Sequence, residues 1–145
     1  MPMPHLLVID DEAQMRRVFA RVLCRSFVVE CVIDAEAALA AIDGGEVFDA
    51  VLCDLHLPGM SGRDFSDQLK RRSHYLVARL VVLTGAEPAE GDAFAVELGE
   101  RYLTKPCSTS ELMATLSSVA FPRVSSPMPA VFSSAFAGAS PTRSR

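Results

Sequence analysis

The stretch Val51-Leu52-Cys53-Asp54-Leu55-His56-Leu57-Pro58-Gly59-Met60-Ser61-Gly62 runs from an uninterrupted apolar segment onto a carboxylate and then into a Pro-Gly turn. A short apolar run bounded by turn residues is the pattern of a parallel strand covered by helices on both faces. The carboxyl end of such a strand is where doubly wound sheets carry their chemistry. An acid standing alone at that edge is costly unless its charge is compensated. The compensation has to come from elsewhere in the chain.

Working outward, Phe48–Cys53 is predicted to be the third strand, delivering Asp54. His5-Leu-Leu-Val-Ile9 is a second apolar run that stops on acids, Asp10-Asp11-Glu12, and is predicted to be the first strand. Met15, Val18, Phe19, Val22 and Leu23 then fall on one stripe of a helix spanning Ala13 to Cys24, with Arg16, Arg17 and Arg21 on its other side. Phe27–Ile33 is rich in β-branched residues and reads as the second strand, and Asp34 suits the N-cap of a short helix ending before Gly44-Gly45. Beyond the Pro58-Gly59 turn a third helix is expected over Arg63–Arg72. Phe65 and Leu69 point inward there, and Asp67 lies within reach of Arg63 and Arg71 on a solvated face.

Ala78–Leu83 is the expected fourth strand, ending in Thr84-Gly85. Pro88 fits the first turn of a fourth helix running to Leu98, which Gly91 weakens. Arg101–Leu103 is a short fifth strand followed by Thr104-Lys105-Pro106, and Ser108-Thr-Ser-Glu111 is a capping box opening a last helix. Strands alternating with helices in this way predict an α/β fold: a flavodoxin-like doubly wound parallel sheet of five strands in the order 2-1-3-4-5, with five helices. The domain is expected over residues 4–120. Residues 121–145, mostly Ser, Pro and Ala, read as a disordered tail or linker made stickier by Phe121, Val131, Phe132 and Phe136.

Composition narrows the setting. Half of the 145 residues are apolar and 22% are charged, which suits one well-packed domain. The net charge is −4, and the tail contributes Arg123, Arg143 and Arg145 without an acid, so the remainder is more acidic still. That balance disfavours direct contact with nucleic acid. Cys24, Cys31, Cys53 and Cys107 show no metal-site spacing and read as small buried hydrophobes in a reducing compartment. No basic segment followed by an apolar core opens the chain, and no stretch is long enough to span a bilayer. A cytoplasmic protein, monomeric or weakly dimeric, is expected.

If the strand ends line up along one edge, Asp10, Asp11, Asp54, Thr84 and Lys105 converge there. Three carboxylates side by side call for a cation, and an all-oxygen donor set favours a hard ion such as Mg²⁺. Lys105 adds a positive charge and Thr84 a hydroxyl. A carboxylate nucleophile, a divalent metal, a lysine and a threonine together describe phosphoryl transfer to an aspartate. Each residue also has a plainer reading. Asp54 suits a turn cap, Asp10 and Asp11 suit capping of the first helix, Lys105 suits the surface, and Thr84 and Tyr102 suit ordinary strand packing. His5, His56 and His74 read as packed or exposed side chains rather than phosphocarriers.

Ile9-Asp10-Asp11, Asp54 through Gly62, Leu83-Thr84-Gly85 and Tyr102-Leu-Thr-Lys105-Pro106, in this order and spacing, resemble the receiver domain of two-component response regulators. The resemblance covers roughly residues 4 to 120. It implies that Asp54 accepts a phosphoryl group from a phosphohistidine on a histidine kinase or phosphotransfer protein. It further implies that Asp11, Asp54 and the main-chain carbonyl of His56 ligate Mg²⁺, with Asp10 acting largely through bound water. Lys105 is implied to contact the phosphoryl oxygens, Thr84 and Tyr102 to act as the switch pair, and the Lys105-Pro106 bond to be cis. The fourth helix, fifth strand and fifth helix would present the face that a downstream protein effector reads.

The sequence departs from the family pattern in His56 two residues after the acceptor, in Gly99-Glu100 where Gly-Ala is common, in Gly85 after Thr84, and in a tail without a recognisable effector domain. Two alternatives stand beside this one. A receiver-fold adaptor would signal by docking without phosphorylation, which the intact acids, Thr84 and Lys105 speak against. A Mg²⁺-dependent phosphohydrolase with an aspartate nucleophile would usually place that residue after the first strand in a DxDxT pattern, where this chain reads Asp10-Asp11-Glu12-Ala13.

Overall fold

Successive side chains of a strand face opposite ways, so a run such as Leu6-Leu7-Val8-Ile9 has to be covered twice. The computed structural model, which describes residues 2–120, shows that double cover. The chain alternates β1 (His5–Ile9), α1 (Ala13–Leu23), β2 (Val28–Val32), α2 (Ala35–Asp43), β3 (Ala50–Asp54), α3 (Gly62–Arg71), β4 (Leu80–Thr84), α4 (Ala93–Leu98), β5 (Tyr102–Thr104) and α5 (Thr109–Ala120). Every pairing is parallel and the order is β2-β1-β3-β4-β5, the flavodoxin-like arrangement expected. The tail predicted from residue 121 lies outside the described residues.

Strand alternation divides the core in two. Leu6, Val8, Leu52, Val81 and Leu83 pack with Phe19 and Leu23 of α1 and with Leu112 and Leu116 of α5. Leu7, Ile9, Val51, Cys53 and Val82 pack on the other face with Ala38 of α2, Phe65 and Leu69 of α3, and Phe94 and Leu98 of α4. The chain turns from β1 to β2 on one side and then returns to β3 on the other. The carboxyl ends of β1 and β3 therefore flank the crevice that this topology leaves open.

Helix ends follow local chemistry. The Asp34 side chain accepts from the Ala37 N–H at 2.8 Å and α2 stops at Gly44, as expected. Ser61 and Asp64 cap α3 reciprocally, Ser61 Oγ accepting from Asp64 N–H at 3.1 Å and Asp64 accepting from Ser61 N–H at 3.2 Å. At α5, Ser108 Oγ accepts from the Glu111 N–H at 3.0 Å.

Three expectations are corrected. The fourth helix does not begin at Pro88; it covers only Ala93–Leu98, because Gly91 adopts φ +77° and Asp92 then caps the helix through the N–H groups of Phe94 and Ala95. The start of the predicted fourth strand belongs to a 3-10 helix, Tyr75–Arg79, opened by His74, whose Nδ1 accepts from the Leu76 N–H at 3.1 Å. Among the cysteines Cys53 is buried and Cys31 and Cys107 are partly so, but Cys24 is exposed at the end of α1. It stands outside the apolar stripe that ends with Leu23.

Candidate functional site

β1 and β3 run side by side with Ile9 opposite Cys53, so the residues that follow each strand emerge together at the carboxyl edge. One side-chain oxygen each from Asp10, Asp11 and Asp54 lies within 4.8 Å of the others. Asp10 is buried, Asp54 half-buried and Asp11 exposed, so the cluster opens outward from its deepest member.

Two of the three acids are held by backbone. Asp10 Oδ1 accepts from the Glu12 N–H at 2.9 Å, and its main-chain oxygen accepts from Arg16 Nη1 of α1, also at 2.9 Å. Asp10 thus binds the residue preceding α1, while the helix N-cap itself is Glu12, without a side-chain bond. Asp54 Oδ1 accepts from the His56 N–H at 3.0 Å, and the His56 side chain is exposed. Burial pushes the Asp10 carboxyl up from its ordinary value, against the Glu12 N–H that favours its charge; the charges of Asp54 and Asp11 also raise it and that of Lys105 opposes them. Both partner acids and the ammonium therefore act on one point.

β4 and β5 bring the remaining residues. Thr84 is buried at the end of β4; its hydroxyl accepts from the Ala86 N–H at 3.3 Å and its carbonyl from the Lys105 N–H at 2.7 Å. The Lys105-Pro106 peptide is cis. Tyr102 is half-buried and meets Phe94 of α4 edge-on, with ring centres 6.4 Å apart and planes at 81°. Burial, followed by the nearby charge of Asp92, raises its phenol pKa.

Two features of this edge were not singled out from the sequence. A Cβ at Gly62 would lie 2.9 Å from the main-chain oxygen of Asp54 and 3.1 Å from Leu55 Cα, while the Gly62 N–H donates to the Leu55 carbonyl at 2.9 Å. Only glycine lets α3 begin this close beneath Asp54. The other is Arg63, expected beside Asp67 along its own helix. It crosses instead to Asp92 at 2.8 Å, with its guanidinium 5.4 Å from the centre of the Phe94 ring. The glycine was visible as a residue before a helix, but the Arg63–Asp92 pair spans 29 residues and has no local signature.

The donor set is all oxygen and is grouped closely enough for a single hard divalent ion, with the Lys105 ammonium also acting on Asp10. Comparison with known proteins identifies the family. The chain matches the response regulator receiver domain over residues 6–117. It is 36% identical over 117 residues to the transcriptional regulatory protein TcrA of Mycobacterium tuberculosis, covering 77% of this chain and 44% of that one. It is 37% identical over 119 residues to the sensory transduction protein RegX3 of Mycobacterium bovis, covering 81% and 51%. It thus spans about half the length of these relatives. Among solved structures, the chemotaxis protein CheY4 of Vibrio cholerae superposes with a TM-score of 0.68 at 25% identity, covering 81% of this chain and 99% of that one. Three acids at two adjacent strand ends, on a sheet of this order and with this match, lead to one statement of kinship: the chain belongs to the response regulator receiver domain family.

Proposed function

We propose that this receiver takes a phosphoryl group onto Asp54 from the phosphohistidine of a sensor kinase or histidine phosphotransfer protein, in the presence of Mg²⁺, and answers by changing the face formed by α4, β5 and α5. The observation that carries this is the grouping of Asp10, Asp11 and Asp54 oxygens within 4.8 Å at the edge where Lys105 also acts. Asp11, Asp54 and the His56 carbonyl would hold the ion, with Asp10 reaching it through water. The ion would neutralise phosphoryl oxygens and fix their orientation.

The chain's own residues supply the rest. The Asp54 carboxylate attacks phosphorus as the bond to the donor imidazole breaks, and the electron pair leaves with that nitrogen. The Asp54 oxygen held by the His56 N–H stays in place, so the other oxygen is the one presented to the donor. Lys105 steadies the transferred group with its ammonium. Thr84 exchanges its present bond to Ala86 for one to a phosphoryl oxygen, and Tyr102 follows by turning inward toward the space that Thr84 leaves.

A groove of about 270 Å³ opens beside Lys105, lined by Met15, Val18, Phe19 and Val22 of α1 and by Pro106 and Leu112. Its apolar walls suit the helix of a phosphodonor protein. Acetyl phosphate with Mg²⁺ should load one phosphoryl group per chain, and chelation should abolish loading. Steady release of many phosphates per chain from small phosphate esters would instead favour the phosphohydrolase, and no loading at all would favour the docking-only adaptor. Val18→Asp, placed on the 44%-exposed rim of the groove, should block transfer from a kinase while leaving acetyl phosphate loading intact.

A further inference from the structure

α4 is only six residues long; beyond the packing of Phe94 and Leu98 in the core, two ion pairs tie it to α3. Arg63 stands in the first turn of α3, directly after the loop that follows Asp54; Asp92 stands at the end of the loop that follows Thr84. Their 2.8 Å ion pair therefore joins the end of the loop after Asp54 to the end of the loop after Thr84. Asp92 also caps α4, accepting from Phe94 and Ala95 N–H at 2.9 and 3.1 Å. The Arg63 guanidinium lies over Phe94, and Phe94 is the ring that Tyr102 meets edge-on. Further along α3, Lys70 Nζ and Glu97 repeat the α3-to-α4 connection at 2.7 Å.

We infer that Arg63 is a positioning residue for the switch: through Asp92 and Phe94 it holds α4 and Tyr102 in the resting arrangement, and its release favours the activated one. The inference rests on Asp54 being the phosphoacceptor. The planar guanidinium serves both contacts at once, making the ion pair with Asp92 while stacking over the ring. A contact made only in the resting state shifts the equilibrium by its own differential free energy, so removing it should tighten binding of any ligand selective for the activated state.

Beryllofluoride, a phosphoryl mimic, can be titrated into the Mg²⁺-loaded full chain while tyrosine emission is followed. The chain has two tyrosines and no tryptophan, so a Tyr75→Phe background leaves Tyr102 as the sole reporter. Arg63→Ala should lower the half-saturating beryllofluoride concentration about two- to five-fold, the range expected for a partly exposed ion pair. Asp92→Asn, which retains a capping oxygen but loses the charge, should do the same. The double variant should show no further shift, and Arg63→Lys should fall between Arg63→Ala and wild type. Thermal stability should move little in all four, which separates positioning from simple destabilisation. A midpoint in Arg63→Ala or Asp92→Asn equal to or higher than wild type overturns the inference while the wild-type response stands. A wild type that ignores beryllofluoride overturns the phosphoacceptor assignment as well.

Discussion

The carboxyl ends of β1 and β3 and the carboxyl ends of β4 and β5 lie on one edge yet are built differently. At the first, Asp10 follows β1 and Asp54 ends β3, each of these two carboxylates is fixed by a backbone N–H, and α3 starts against Asp54 with no room for a methyl group. At the second, a loop containing a left-handed Gly91 leads into a six-residue helix whose two ion pairs to α3 involve exposed and, at Asp92, partly exposed side chains. Groups that must hold a metal and a phosphoryl group need a fixed geometry, whereas an element that reports their state needs a second arrangement of similar free energy. The difference separates a place for chemistry from a place for readout.

The contrast can be tested first by damage. Phe65 is fully buried against the sheet beneath the acid edge, and Phe65→Ala should cost about 3–5 kcal/mol of unfolding free energy in denaturant titrations. Gly62→Ala comes next: a Cβ 2.9 Å from the Asp54 carbonyl forces a backbone shift, so a loss of about 1–3 kcal/mol should accompany slower loading from acetyl phosphate. Loading at the wild-type rate in a stable Gly62→Ala protein would show that the edge is less rigid than described.

A third test turns on charge. Burial, with the charges of Asp54 and Asp11, raises Asp10 above 3.8 in the folded chain, so its ionisation opposes folding. The cost is absent below pH 3.8, grows as pH rises toward the folded pKa and is full above it. In chelator, Asp10→Asn should therefore be more stable than wild type at pH 7, with the gain disappearing below pH 3.8. Saturating Mg²⁺ should reverse the order by stabilising wild type, by about 2.7 kcal/mol at a hundredfold excess over Kd. The smallest effect is expected at the readout end. Glu97→Ala removes an exposed pair and should change stability by less than about 0.5 kcal/mol.

The same division governs what was legible in the sequence. The strands of the acid edge are continuous apolar runs ending on acids, so β1, β3 and the convergence of Asp10, Asp11 and Asp54 followed from pattern and topology. Asp34 as a cap and Gly44 as a stop are local chemistry and read equally well. α4 was overextended because Pro88 is a fair helix start, while the penalty at Gly91 depends on a positive φ that composition only suggests. The Arg63–Asp92 contact was misassigned to Asp67 because helical spacing describes neighbours along one helix and says nothing of the helix packed beside it. Gly62 was read as punctuation, since the close approach beneath Asp54 is a property of tertiary packing.

The most direct test loads the full chain with acetyl phosphate and Mg²⁺, traps the acyl phosphate by borohydride reduction and locates the reduced residue by peptide mass mapping. Reduction confined to Asp54, lost on chelation and absent in Asp54→Asn, is the predicted result. Reduction at Asp10 or Asp11, or undiminished loading in Asp54→Asn, would contradict the assignment of Asp54 as the acceptor.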